Sequence, residues 1–298
     1  MRILVTGSTG FVGSALIPFL RSDGHTVIRL LRSTPPPGSA ELRWNPEAEE
    51  LDAATLEGLD GVVHLAGDPI AKERWTPDKK AAIRDSRIKG TRLLAQRLAG
   101  LKRPPAVLVS ASAVGYYGNR GDELLREESS PGIGFLSETA QAWEEATGAA
   151  QQAGIRVIRI RIGVVLSPRG GALAMMLPPF RLGLGGPLGS GRQWMSWIAL
   201  DDLLRVIQYA LTTNSLQGAV NAVAPQPVTN RGFTRTLARV LRRPAFFPVP
   251  PFALRLLFGE MAEEVLLGGA RVEPTKLLQN RFQFDFPTLE QALQKLLS

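Results

Sequence analysis

The stretch that most constrains this chain is "RILVTGSTGFVGSAL", residues 2–16. A run of β-type residues (2–7) ends on glycine, and helical periodicity takes over across 11–23, stopped by Gly24. Gly7, Gly10 and Gly13 recur at every third position across the junction. Gly7 permits a tight turn, Gly10 lets backbone approach a bound group, and Gly13 lets the helix pack close to the strand. A strand that runs straight into a helix cannot pair with the next strand as a hairpin. The chain must cross over and lay that strand parallel to the first.

The later segments keep that rhythm. "TVIRLL" (26–31) reads as a strand, as does "AELRWN" (40–45) after the proline-rich turn at 35–37. "DGVVHLAG" (60–67) is a buried strand running into a turn, and Thr76-Pro77 opens a long helix over 76–99. "AVLVSAS" (106–112), a helix over 135–152 and "IRVIRIRIGVVL" (155–166) continue the alternation. The pattern predicts an α/β fold, a Rossmann-type doubly wound parallel sheet over residues 1–166. Past 167 the rhythm breaks, with Gly and Pro punctuating 168–191. Helices fit 200–212, 230–241, 251–258 and 287–297, and "FQFDF" (282–286) reads as a short strand. Residues 167–298 are expected to form a smaller, mixed substrate-side region, with elements around 192–225 returning to the first domain.

Composition narrows the chemistry. The chain has no cysteine and two histidines, His25 and His64, so disulfides, thiol catalysis and Cys- or His-rich metal sites are excluded. No run of 18 apolar residues is free of charge, and a strand pattern from Arg2 leaves no room for a signal peptide. The expectation is a cytoplasmic protein with no membrane partner. Part of the net charge of +8 lies in Arg231, Arg235, Arg239 and Arg243, a stripe at four-residue spacing. Aromatic interleaving and nucleic-acid motifs are missing, so the stripe reads as a solvated helix face and not as a nucleic-acid site.

The glycine loop opens a helix whose first N–H groups and positive dipole end suit a pyrophosphate, held by Gly7, Thr9, Gly10, Phe11, Val12 and Gly13. The second strand then discriminates between dinucleotides. An NAD site places Asp or Glu at its end for the ribose 2′-hydroxyl. Here the strand ends Leu31-Arg32-Ser33. A guanidinium at 32 can meet a 2′-phosphate and stack on adenine, which points to NADP(H). Leu65, Ala66 and Gly67 leave the next strand as the wall of the adenosine half, while His64, in mid-strand, reads as core.

These segments, with "SRIKGT" (86–91) and "SASAVGYYG" (110–118), resemble the extended short-chain dehydrogenase/reductases, the epimerase-like NAD(P)-binding superfamily. "HLAGDPIAKERWT", "GVVLSPRGGAL", "GGPLGSGRQWMSWIALDDL" and "NAVAPQPVTNRGF" narrow the likeness to an atypical subgroup, the epimerase-family or "cell division inhibitor"-like proteins, whose C-terminal segment has no assigned role. The resemblance implies cofactor contacts at Leu31, Arg32, Leu65, Ala66, Arg87 and Val165, and Ser110, on the strand 106–112, is a further candidate. Ser86 stands where most extended members have Asn.

The same resemblance implies a Tyr-x-x-x-Lys pair on the helix after "SASA", with a serine on the preceding strand orienting the substrate oxygen. Ser112 fits the serine. Phe135 falls at the tyrosine position and Thr139 at the lysine, and neither can do that work. Tyr116 and Tyr117 are the remaining tyrosines at the cleft end, either as proton donors or as pocket walls. No lysine occurs between Lys102 and Lys276, so charge would come from Lys72, Arg74 or Arg87. Arg192 can bind an anionic substrate group, and Trp194 and Trp197 can stack on a ring. The expected function is an NADP(H)-dependent oxidoreductase or epimerase-like protein acting on a small carbonyl or sugar-type substrate. The alternative is a catalytically inactive NADP(H)-binding regulator. A monomer or a homodimer through 76–99 and 135–152 fits either.

Overall fold

The computed structural model describes residues 1–298 apart from Pro37 and Lys72. Its centre is a seven-stranded, wholly parallel sheet. In chain order the strands are β1 (Arg2–Thr6), β2 (Thr26–Leu31), β3 (Leu42–Arg43), β4 (Gly61–His64) and β5 (Val107–Ala113), then Arg156–Ile162 and Gly218–Ala222. Across the sheet the order is Gly218–Ala222, Arg156–Ile162, β5, β4, β1, β2, β3. The chain reverses direction across the sheet between β1 and β4, and such a switch point opens the crevice where this architecture binds ligands.

Alternating side chains make both faces apolar, as a buried parallel sheet requires. Ile3 and Val5 of β1 pack with helix α1 (Phe11–Ser22) and helix Leu200–Thr212 on one face. Leu4 packs with Leu93, Leu94 and Leu98 of helix α2 (Pro77–Ala99) on the other. Helix α3 (Phe135–Glu145) lies against α2 and β5.

The run 155–166 is two strands, because Gly163 breaks it. A Cβ there would stand 2.5 Å from the Ser196 carbonyl oxygen, and the next residues, Val164–Leu166, pair with Trp197–Ala199 in a separate small sheet. The helix expected over 135–152 likewise divides into α3 and Gly148–Gln152, and the strand at 40–45 shrinks to Leu42–Arg43. "FQFDF" is no strand. Phe282 packs edge-on against Tyr209 and Phe284, and the amides of Asp285 and Phe286 donate to buried Asp202 at 2.8 and 3.0 Å. A helix, Gly171–Arg181, occupies part of the stretch that Gly and Pro punctuate, and Gly218–Ala222, within the 192–225 stretch expected to return to the first domain, is a strand that the sequence pattern does not mark. The C-terminal segment joins the body where Arg271–Val272 pairs with Leu124–Leu125. Among the described residues no helix is long and apolar enough to cross a membrane.

Candidate functional site

At the head of α1, Gly7 and Gly13 make the tight turn and the close helix–strand packing that their spacing predicts. Gly7 has φ +64°, and a Cβ on it would lie 2.6 Å from the Leu65 carbonyl carbon. A Cβ on Gly13 would lie 2.2 Å from the Gly7 oxygen, so α1 and β1 meet backbone to backbone. Gly10 is exposed, and its added Cβ would meet only the Gly7 oxygen at 3.2 Å. Its amide is spent on Gly7 (3.0 Å), and the first turn closes with Ser14 donating to Gly10 (2.9 Å). The amides of Phe11, Val12 and Gly13 therefore precede any i→i−4 bond, and no side chain caps the helix. Three open donors at a helix N-terminus, with exposed Thr9 beside them, form an anion cradle that fits a pyrophosphate.

Arg32 and Ser33 lie exposed just beyond β2, with Leu31 half-buried at its last position. Arg29, which no sequence motif singles out, reaches across from β2 and donates to Ser8 of the glycine loop (3.2 Å) while pairing with Glu41 (2.7 Å). On the far side, a Cβ on Gly170 or Gly171 would stand 2.7 or 3.0 Å from the Phe11 ring. The segment after Val165 is thus seated on the first turn of α1.

The wall Leu65-Ala66-Gly67 is held from behind. The amides of Leu65 and Ala66 both donate to Thr6 Oγ1 (3.1 and 3.2 Å). With that oxygen accepting twice, its proton goes to His64 Nδ1, 2.7 Å away. Nε2 then carries the imidazole proton and donates to Thr91 Oγ1 at 2.9 Å, which also accepts from Trp143 Nε1 at 2.9 Å. Burial pushes the His64 pKa down to about 4, so the ring is neutral. Arg87 braces the same wall: its guanidinium donates to the carbonyls of Asp68 and Ile83 (both 3.0 Å), lies over Trp143 and sits under Gly67. Burial lowers its pKa to about 10, with Asp68 opposing, and it stays charged. Ser110 is buried inside β5 with its hydroxyl turned to the Ala111 carbonyl (3.4 Å), so it backs the wall and does not line it.

At the end of β5 the proton-handling groups are already committed. Ser112 is buried and donates to Glu144 Oε1 at 2.7 Å. Arg161 grips that carboxylate with two bonds of 2.8 and 2.9 Å. Its third contact, Nη1, goes to the Tyr117 oxygen at 2.9 Å. The Tyr117 hydroxyl, fully buried, also lies 2.7 Å from Asn221 Oδ1 and 2.9 Å from the Arg126 carbonyl. Burial pushes its pKa up to about 12. Tyr117 is therefore an interior strut and not a proton donor facing a cleft. Tyr116 differs. It is half-buried, Arg161 lies flat on its ring at 3.4 Å, and its hydroxyl has no hydrogen-bond partner among the described residues.

Phe135 is half-buried and packs edge-on against Trp75 (ring centroids 5.2 Å apart), with Met261 and Leu136 in the same apolar cluster and Lys80 Nζ 4.7 Å from its ring. The amides of Phe135 and Leu136 donate to the two oxygens of Glu264 at 2.8 and 3.0 Å. Thr139 is buried, its hydroxyl without a partner among the described residues. Arg74 is exposed and packs on Gly259; Lys72 lies outside the described residues. A buried lysine does exist, Lys79, but Asp68 and Glu73 hold it at 2.5 and 2.9 Å and raise its pKa. Sequence reasoning misses Glu144, Arg161 and Glu264 because each acts through partners well separated along the chain, and Lys79 because its partners Asp68 and Glu73 come from the preceding loop at no motif spacing.

On the opposite bank, Arg192 is exposed and Trp194 half-buried, its Nε1 donating to Asp122 (2.7 Å) and its ring covered by Arg271 at 4.7 Å. Trp197 departs from the expectation of a stacking ring. It is fully buried among Leu166, Phe233 and Leu237, with Nε1 on the Gln226 carbonyl (3.0 Å), and has no face left for a ligand.

A parallel sheet with its glycine loop at the switch point and a wall on β4 defines a Rossmann-type dinucleotide-binding protein. The chain belongs to the NAD dependent epimerase/dehydratase family, whose sequence model matches residues 3–223, and a domain of unknown function, DUF1731, matches 249–296. Epimerase family protein Mb2239 of Mycobacterium bovis is 47% identical over 291 residues, 98% of this chain and 96% of the relative. Epimerase family protein SDR39U1 of Mus musculus is 40% identical over 305 residues, all of both chains. The crystal structure of human epimerase family protein SDR39U1 (isoform 2) with NADPH superimposes with a TM-score of 0.91 at 36% identity, covering 99% of each chain.

Proposed function

We propose that this chain binds NADP(H) and acts as an oxidoreductase or epimerase-like enzyme on a small carbonyl or sugar-type substrate, with a proton donor other than the family's tyrosine–lysine pair. We read residues 1–166 as the dinucleotide domain and 167–298 as the substrate side, with the elements from about 192 to 225 returning to the sheet. The carrying observation is the uncapped amide cradle at Phe11, Val12 and Gly13, with a guanidinium, Arg32, where an NAD site would place a carboxylate. The NADPH complex of human SDR39U1 supports the same choice. When bound, the reduced nicotinamide supplies a hydride. The amides hold the pyrophosphate, Arg32 the 2′-phosphate, and the Leu65–Ala66 backbone the adenosine side. Tyr116 is the candidate donor of the proton, because Ser112 and Tyr117 spend theirs internally. Arg192 and Trp194 are the candidate contacts for the substrate.

Titrating the protein with NADPH and NADH, monitored by nicotinamide fluorescence, tests the first half. NADPH should bind more tightly, and Arg32→Ala should weaken NADPH alone, by roughly tenfold or more. Equal affinities in the parent protein, unchanged in the variant, remove the reading.

A second reading rests on Phe135. The usual donor position holds an apolar, half-buried ring packed against Trp75, which suits a protein that binds NADP(H) and turns nothing over. Turnover of any carbonyl in a labelled-NADPH screen excludes it.

A further inference from the structure

One surface is used neither by the sheet nor by the site. The chain from 183 to 189 runs beside 244 to 249: Phe247 donates to Gly185 (3.3 Å), Val249 to Pro187 (2.9 Å) and Gly189 back to Val249 (2.9 Å). Gly183 sits against Pro244, and a Cβ on it would be 3.2 Å from that ring. This pairing brings Leu182 and Leu184 next to Phe246 and Phe247, all four between 58% and 81% exposed. Helix Pro251–Phe258 comes immediately after. Leu254 is its buried side, and the opposite side presents Phe252 and Leu256, with Leu257 alongside, exposed by 64–73%. Monomers seldom leave so many large apolar side chains together without a use for them.

The charge around this patch is one-sided. The arginine stripe on helix Asn230–Leu241 points away from its buried Phe233 and Leu237 and leads, through Arg242 and Arg243, directly into Phe246-Phe247. Arg181 precedes Leu182. Arg181, Arg235, Arg242 and Arg243 have no ion-pair partner among the described residues, whereas the nearby acids are spent: Glu263 on Arg255, Glu260 on Lys80, Glu290 on Arg239 and Glu264 on the α3 amides. The surface therefore combines exposed phenylalanine and leucine with uncompensated guanidinium groups.

We propose that this face docks the protein peripherally on an anionic lipid surface, with Leu182, Leu184, Phe246, Phe247 and the outer side of helix Pro251–Phe258 entering the headgroup boundary and the arginines meeting lipid phosphates. A second copy fits less well. A two-fold interface sets a patch against itself and would bring two sets of unpaired arginines together. Nucleic acid would satisfy the arginines and leave the leucines wet.

Cosedimentation of the full chain with vesicles tests the idea, using equal parts phosphatidylglycerol and phosphatidylcholine against phosphatidylcholine alone. The protein should sediment with the anionic vesicles only, less so as salt rises. Both Phe246→Ser/Phe247→Ser and Arg242→Glu/Arg243→Glu should lower binding by roughly tenfold or more. Near-ultraviolet circular dichroism checks the fold of each variant, and Leu256→Ser stands in should the phenylalanine pair fail to fold. The proposal is overturned by no sedimentation at low salt, or by equal sedimentation with neutral vesicles. Binding that depends on the arginines alone and is matched by duplex DNA would show a polyanion site instead. A self-association abolished by the phenylalanine variant would show that the patch is an interface between copies.

Discussion

Ser112 and Glu144 share a buried hydrogen bond of 2.7 Å, and the carboxylate in that bond is the counter-ion of Arg161. The serine proton is thereby aimed into the protein, and the end of β5 is tied to α3 and to strand Arg156–Ile162 through one ion pair.

That pair governs the first expected outcome. The Glu144 and Arg161 side chains are only 10% and 4% exposed. Glu144→Ala leaves a guanidinium buried without its partner, which costs about 3–5 kcal/mol, while Glu144→Gln/Arg161→Met removes both charges and should recover much of the loss. Urea unfolding of the two variants against the parent measures this. Equal destabilisation of both would mean that the charge pairing itself matters little.

The two adjacent tyrosines should separate cleanly. Tyr117→Phe removes a hydroxyl that meets Arg161, Asn221 and the Arg126 carbonyl, leaving buried groups unpaired at a cost of about 1–3 kcal/mol. Tyr116→Phe removes a hydroxyl with no such partner and should leave the unfolding free energy within about 0.5 kcal/mol of the parent. Once a substrate is found, single-turnover oxidation of NADPH should fall in the Tyr116 variant. A Tyr116 variant with full activity would exclude that residue as the donor.

The glycines of the loop predict opposite phenotypes for one added methyl group. In Gly13→Ala the new Cβ meets the Gly7 oxygen at 2.2 Å, so α1 must move off β1 and stability should fall by about 2 kcal/mol or more. In Gly10→Ala the same oxygen is 3.2 Å away, and the fold should survive, but the methyl group stands where a pyrophosphate must approach. Thermal unfolding should single out Gly13→Ala, and dinucleotide titration should show weakened binding in Gly10→Ala at near-parental stability.

How far the sequence carries differs between the two halves of the molecule. The glycine spacing, the strand that precedes it and the absence of a carboxylate after Leu31 are local signals, and they suffice for the sheet and the phosphate cradle. The core position of His64 is legible for the same reason, since it sits inside an apolar run. Trp197 is not. An aromatic after a glycine-rich stretch looks like a cleft residue until Leu166 and Phe233 are seen around it. "FQFDF" has perfect strand alternation, yet its amides are claimed by Asp202, more than eighty positions earlier in sequence. The Ser112–Glu144–Arg161–Tyr117 chain draws on three separate segments, and no periodicity encodes contacts of that kind.

His64 supplies an outcome readable in acid. Its pKa lies near 4 in the folded chain against an ordinary 6.5, because charging the ring would bury a cation with no counter-ion among its partners Thr6 and Thr91. Below pH 6.5 the unfolded chain takes up a proton that the folded chain refuses until about pH 4. Stability from this group is therefore whole above pH 6.5, drains away as pH falls toward 4, and totals about 3 kcal/mol. His64→Gln keeps an acceptor for Thr6 and a donor for Thr91 but cannot titrate. The difference in unfolding free energy between parent and variant, measured at intervals from neutral to mildly acid pH, should shrink or reverse in the variant's favour across that window. A difference that stays flat would mean that the imidazole is protonated as readily inside the protein as outside it. The Thr6 bridge to the Leu65 and Ala66 amides would then need another proton arrangement.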